Sequence, residues 1–161
     1  MRGLMASADP PIGDVDLIIA FVRLILASAS PRRAELLRAA GFDFDVVAAD
    51  LDESIRAGES PSAYVRRLAA AKSSAALAAL KGCATSADTI VLGADTVVVV
   101  DGDILGKPRD NGEAAAMLRR LSGRRHAVLT GISLRQNGHE VGRVETTAVS
   151  KLGRSAAEGS V

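Results

Sequence analysis

Residues 89–100 read TIVLGADTVVVV, a nearly unbroken β-branched run with one carboxylate at its centre. Such a run predicts a central strand of a sheet. Period two puts Asp95 on the same face as Val91, Gly93, Val97 and Val99. An ionised carboxylate on a buried face is costly unless it is paired or bound to a cation. Two readings therefore stand for Asp95: a partner of a nearby lysine, arginine or backbone N–H, or a functional acid. Gly93 leaves space on that face for something to approach.

Working outward, residues 23–28 (RLILAS) are short, apolar and bounded by small residues, which predicts a buried strand. Ser30-Pro31 supplies a favoured N-cap and a first-turn proline, so a helix is expected over 31–40, closed by Gly41. Residues 42–47 predict a second strand, half buried at its start, and 50–59 an acidic loop. Ser60-Pro61 repeats the helix start, and a long helix should run to Leu80 with Tyr64, Val65, Leu68, Ala75 and Ala79 inward. Downstream of the central strand, Asp101-Gly102 is a turn signal with 104–107 returning from it. Asn111 is expected to cap a helix through Leu121 with Ala114, Met117, Leu118 and Leu121 on one face. Strands over 125–135 and 140–149 should form a hairpin on Asn137-Gly138. The alternation predicts an α/β fold, a mixed central sheet flanked by helices. Residues 1–22 are expected as a flexible leader, 23–149 as the domain and 150–161 as a frayed tail.

Composition narrows the function. With 161 residues, 48% hydrophobic and 24% charged, the chain is an ordinary globular one of single-domain size. Lys+Arg of 20 against Asp+Glu of 19 argues against a general grip on nucleic acid or an anionic membrane. Aromatic residues are 2%, too few for base-stacking platforms. The single cysteine, Cys83, excludes an intrachain disulfide and a Cys-rich zinc site, and is expected as a buried inert thiol. The apolar stretches 17–22 and 89–100 fall short of the roughly 18 residues a membrane helix needs. Asp9, Asp14 and Asp16 sit where a signal peptide would be apolar, so a cytoplasmic protein without nucleic-acid or membrane partners is expected. His126 and His139 lack metal-ligand spacing, and His126 is expected as a satisfied structural histidine.

Four further features resist a bland reading. At 100° per residue Lys72 falls inside the apolar stripe of its helix, either snorkelling at the core edge or serving a site. Ser28-Ala29-Ser30-Pro31-Arg32-Arg33 places two arginines at a helix N-terminus, where cations oppose the dipole. They suit a bound anion there, or else are solvated surface groups. Asp50, Asp52 and Glu53 form an acidic loop, of the oxygen-rich kind that hard cations take, or simply an acidic surface. Pro108 holds Lys107 extended and presented. Together these features suit a polyphosphate substrate with a divalent cation.

The stretches LILASASPRRAELLRAAGFDFDV (24–46), DLDES (50–54), YVRRLAAAK (64–72), VLGADTVVVVDGDILGKPRD (91–110) and EAAAMLRRLSGRRHAVLTGISL (113–134) closely resemble the Maf family of nucleoside triphosphate pyrophosphatases. The resemblance spans roughly residues 23–147. It implies the family's ITPase-like fold with a substrate cleft, and hydrolysis between the α- and β-phosphates to a monophosphate and pyrophosphate. It also implies a divalent cation, Mg²⁺ or Mn²⁺, a homodimer as one assembly, and a link to arrest of septum formation and cell division. By position, Asp95 stands where the family has its proton acceptor, and Arg32 and Thr96 where substrate choice is set. Ser30, Arg33, Glu53, Lys72 and Lys107 match other polar positions of the cleft. In such a site Arg32, Arg33, Lys72 and Lys107 would neutralise phosphate charge, while Asp95 and Glu53 hold the metal or orient the attacking water. Ser-Pro-Arg-Arg with Gly-Ala-Asp-Thr is similar to the branch acting on dTTP and UTP.

Residues 144–148 match the family's next strand, but 150–161 do not carry the segment that follows it, approximately Asp-Lys-Ala-Gly-Ala-Tyr-Gly-Ile-Gln-Gly. The expectation is a domain without its C-terminal strands, less stable than a full family member and impaired in activity. The alternatives are a non-catalytic nucleotide-binding or cell-division regulatory protein, or an inactive truncated copy.

Overall fold

A computed structural model describes residues 22–80 and 88–150. The expected leader (save Val22), Cys83 and all of the expected tail except Ser150 lie outside those residues. In chain order the elements are β1 (Arg23–Ala27), α1 (Pro31–Ala39), β2 (Phe44–Val46), α2 (Pro61–Leu80), β3 (Thr89–Val100), β4 (Asp103–Leu105), α3 (Asn111–Leu121), β5 (Arg125–Gln136) and β6 (His139–Ser150). They build a six-stranded mixed sheet in the order β2-β1-β3-β5-β6, with β4 paired to β3. β1 runs parallel to β2 and β3; the other pairings are antiparallel. The α/β expectation holds, and the 89–100 run is the central strand. No helix among the described residues is long and apolar enough to cross a membrane.

Local chemistry accounts for the turns. Asp101 and Gly102 adopt φ of 54° and 87°, and Asn137 and Gly138 adopt 50° and 79°, the left-handed pairs that tight hairpins require. α2 covers one face of the sheet. Tyr64, Val65 and Leu68 pack on Val97 and Leu129, and Ala76 and Leu80 pack on Ile25, Ala27 and Val91. Two glycines make that seat possible. A Cβ on Gly93 would lie 2.2 Å from the Ala69 carbonyl, and one on Gly131 would lie 2.4 Å from that of Val65. The space left by Gly93 is therefore filled by the backbone of α2, not by a ligand.

Several local expectations are corrected. The buried stripe of α2 runs through Ala69, Lys72, Ser73, Ala76 and Leu80, while Ala75 is half-buried and Ala79 exposed. Tyr64, Val65, Leu68 and Lys72 are buried as expected, and the stripe departs from the expected one only toward the C-terminal end, where Ala76 and Leu80 are buried in place of Ala75 and Ala79. Asp110, not Asn111, caps α3, its carboxylate accepting from the Glu113 N–H at 2.8 Å. Ser30 has N-cap geometry without a side-chain cap bond. Leu118 on the expected apolar face of α3 is 65% exposed. Ser150 closes β6 instead of opening a tail.

The topology creates a crevice. The chain passes from β1 through α1 to β2, then from β2 through α2 back past β1 to β3. The connections thus leave β1 in one direction and return past it in the other, and ligands bind outside the carboxyl ends of strands at such a reversal. β3 pairs with β1 only as far as Gly93 opposite Ala27. Asp95 and Thr96 therefore project beyond the end of β1.

Candidate active site

A cavity of about 360 Å³ opens at that point, lined by Ser28, Ser30, Arg33, Glu53, Lys72, Asp95, Thr96 and Lys107, with Ala27, Ala29 and Ala49. The side chains arrive from six parts of the fold. Ser28 and Ser30 follow β1, Arg33 comes from the first turn of α1, and Glu53 from the segment after β2. Lys72 comes from α2, Asp95 and Thr96 from β3, and Lys107 from the segment after β4.

Lys72 is the hub. Its ammonium donates to Asp95 Oδ1 at 2.6 Å and contacts Glu53 Oε1 at 2.7 Å. Lys72 and Asp95 are only 9% and 8% exposed. Burial alone would lower the Lys72 pKa, but the bonds to Asp95 and Glu53 outweigh it and hold it above the ordinary value. The same contact with Lys72 holds the Glu53 carboxyl below the usual range, with help from Lys107 at 3.2 Å. Two of the three ammonium protons are committed to carboxylates, which leaves one for an incoming anion.

Arg33 forms the opposite wall. It donates to Ser28 Oγ at 2.8 Å and to Thr96 Oγ1 at 3.0 Å. Burial pushes its guanidinium below its ordinary pKa, against the pull of Asp95 and Glu53. Thr96 Oγ1 also meets Thr130 Oγ1 at 3.1 Å, which ties this wall to β5.

The structure brings together Ser30, Arg33, Glu53, Lys72, Asp95, Thr96 and Lys107. It does not bring Arg32, whose side chain is exposed and outside the cavity lining. The helical turn aims only one of two successive arginines inward. The acidic loop divides as well. Asp52 turns back to accept from the N–H and hydroxyl of its neighbour Ser54 at 2.9 and 3.0 Å, and Asp50 is exposed. Only Glu53 enters the cavity, and no group of three or more His, Cys, Asp or Glu side chains converges among the described residues. Asp95 and Glu53 remain as an oxygen pair on one cavity. Mg²⁺ is commonly held by one or two carboxylates, with substrate phosphates and water completing the shell, so this pair fits such a cation. Ser28 was legible only as part of the SASPRR loop, and nothing in the sequence marked the Tyr64 hydroxyl, which donates to the Glu53 carbonyl at 2.8 Å.

A family model described as Maf-like protein matches residues 23–157. The chain belongs to the Maf-like family. This Maf-like chain is 50% identical over 127 residues to a dTTP/UTP pyrophosphatase of Syntrophus aciditrophicus, covering 79% of the chain and 58% of that protein. It is 47% identical over 133 residues to one of Shewanella oneidensis, covering 80% and 67%. It is 52% identical over 112 residues to one of Hahella chejuensis, covering 70% and 54%. The aligned part thus spans between about half and two thirds of these relatives' lengths. Among solved structures, the Ham1 protein of Staphylococcus aureus shares the fold, with a TM-score of 0.51 and 19% identity over 80% of this chain and 70% of that one.

Proposed function

We propose that this Maf-like protein is a nucleoside triphosphate pyrophosphatase acting on dTTP and UTP. It would hydrolyse the α–β phosphoanhydride to a monophosphate and pyrophosphate. The observation that carries the proposal is the convergence of Arg33, Lys72 and Lys107 with Asp95 and Glu53 on one cavity. The relatives' activity on dTTP and UTP supports the substrate class. Phosphoryl chemistry depends mainly on positioning and charge neutralisation, and this cavity has the groups for both.

Each residue has a role in this scheme. Arg33, Lys72 and Lys107 neutralise the phosphates, and the first-turn N–H groups of α1 beside Ser30 hold a phosphate oxygen. Asp95 accepts the proton of the water that attacks the α-phosphorus, as the bond to the bridging oxygen breaks and pyrophosphate leaves. Lys72 aims the Asp95 carboxylate through its 2.6 Å bond to Oδ1. Thr96 fixes the guanidinium of Arg33. Arg32, outside the cavity, acts on the choice among nucleotides instead of on the phosphates. Asp95 and Glu53 would hold a divalent cation, Mg²⁺ or Mn²⁺, which would supply charge neutralisation of the phosphates when bound.

The test is pyrophosphate release from dTTP and UTP with Mg²⁺, beside Asp95→Asn. The expected result is release by the parent chain and a fall of about a hundredfold or more in the variant. Nucleotide binding without pyrophosphate release by the parent chain would replace this proposal with a binding-only role.

A further inference from the structure

We infer that Tyr64 and Arg67, on the first two turns of α2, are positioning residues that hold the Glu53 segment over the cleft. The inference rests on the pyrophosphatase reading for its kinetic consequence, but its geometric basis is independent.

Glu53 sits in an irregular segment, residues 47–60, that no strand ladder fixes. The chain just after its side chain is instead tied to α2. The Tyr64 hydroxyl donates to the Glu53 carbonyl at 2.8 Å, and Arg67 Nη2 donates to the Ser54 carbonyl at 3.0 Å. Arg67 also makes a two-pronged bond to Glu59, 2.6 Å from Nε and 2.7 Å from Nη2, and its guanidinium lies 5.4 Å from the centre of the Tyr64 ring. Glu59 then closes the segment on itself. Its carboxylate accepts from the Arg56 N–H at 3.2 Å, and its own N–H donates to the Arg56 carbonyl at 3.0 Å.

The geometry explains why the tie is to α2 and not to the sheet. Tyr64 and Lys72 are eight residues apart on one helix, a little over two turns. Glu53 and the ammonium it contacts are thereby referenced to a single rigid element. Neither Tyr64 nor Arg67 lines the cavity, so neither touches substrate. Loosening the tie should leave the cationic groups in place and disturb only the aim of Glu53.

Two conservative variants test this, Tyr64→Phe, which removes one hydroxyl, and Arg67→Lys, which keeps the charge but loses the fork. With dTTP and Mg²⁺, each should lower kcat by about tenfold, the worth of one well-made hydrogen bond, and change KM by less than about twofold. In parallel, tryptic cleavage after Arg56 is followed by mass spectrometry on the same proteins without nucleotide. It should accelerate by about tenfold, because cleavage requires the segment to open locally. Unchanged cleavage in both variants overturns the tie, whatever the activity. Faster cleavage with unchanged kcat, or with the whole effect in KM, overturns the positioning role. Should the parent chain release no pyrophosphate, the function proposal fails alone, and the cleavage rates still judge the tie.

Discussion

Replacing Lys72 by methionine isolates the central electrostatic claim about this site. Methionine keeps most of the aliphatic stem and removes the ammonium that both carboxylates share. The Asp95 and Glu53 oxygens lie 2.6 and 2.7 Å from one nitrogen, so they are at most about 5 Å from each other. Two unit charges about 5 Å apart repel by about 3 kcal/mol at an effective dielectric of about 20. Breaking a buried pair by removing one partner costs about 3–5 kcal/mol. Glu53 keeps 36% of its side chain in solvent and Arg33 supplies a second positive charge, so the lower end applies. Lys72→Met should therefore lose about 3 kcal/mol of unfolding free energy at neutral pH, a fall of about 1.5 M in the urea midpoint. The double variant Lys72→Met/Asp95→Asn should regain most of that loss, because it removes the repulsion at its source. A loss below about 1 kcal/mol, or a double variant no more stable than the single, would refute the shared-ammonium account.

Two further outcomes follow from other parts of the fold. Gly93→Ala would place a Cβ 2.2 Å from the Ala69 carbonyl and 2.7 Å from the Ser73 nitrogen, both backbone atoms. It should cost about 3 kcal/mol and lower Tm by about 10 °C in a circular-dichroism melt; a shift under about 3 °C would show that α2 can ride up without penalty. The Glu59 carboxyl is held from an ordinary 4.5 down to about 2, first by its bond from Arg67. Its contribution to stability is fully present above about 4.5 and is lost as pH falls toward about 2. The unfolding curves of the parent chain and Glu59→Gln should accordingly differ at neutral pH and converge in acid, and a difference that stays constant down to about pH 2 would contradict that assignment.

Much of the site was legible because its residues break a pattern. Asp95 interrupts an apolar face of period two, and Lys72 interrupts an apolar stripe of period 3.6; both are buried where those periods put them. What neither period contains is the partner. The distance between Lys72 and Asp95 depends on how closely α2 seats on the sheet, and two glycine contacts on β3 and β5 set that distance. Gly93 was legible as an open space but not as a space for a helix. Arg32 and Arg33 are indistinguishable in sequence, and a rotation of one residue about α1 decides which reaches Ser28 and Thr96. The acidic loop was legible as acidic. Its division, with Asp52 turned to Ser54 and Glu53 into the cavity, arises from bonds made by Tyr64 and Arg67 on a later helix.

The site also depends on unequal strand lengths, which carry no signature in any single stretch. β1 spans Arg23–Ala27, whereas its parallel neighbour β3 spans Thr89–Val100, and their pairing stops at Gly93. Past that point β3 retains β5 on one edge, with Asp95 opposite Gly131 and Thr96 opposite Thr130. Its other edge passes the place where β1 gives way to the Ser28–Ser30 turn and the start of α1. A carboxylate there is rigid, because its strand is still half-paired, and open to ligand, because β1 no longer covers it. Moving Asp95 two residues earlier along the same face would bring it to the Gly93 position, against the backbone of α2, where no side chain fits. Moving it two residues later would bring it to the Val97 position, inside the cluster with Tyr64 and Leu129. On that face of β3, position 95 combines a fixed backbone, a lysine from α2 and access to the cavity, and this is the physical reason that an acid is tolerated in an otherwise apolar run.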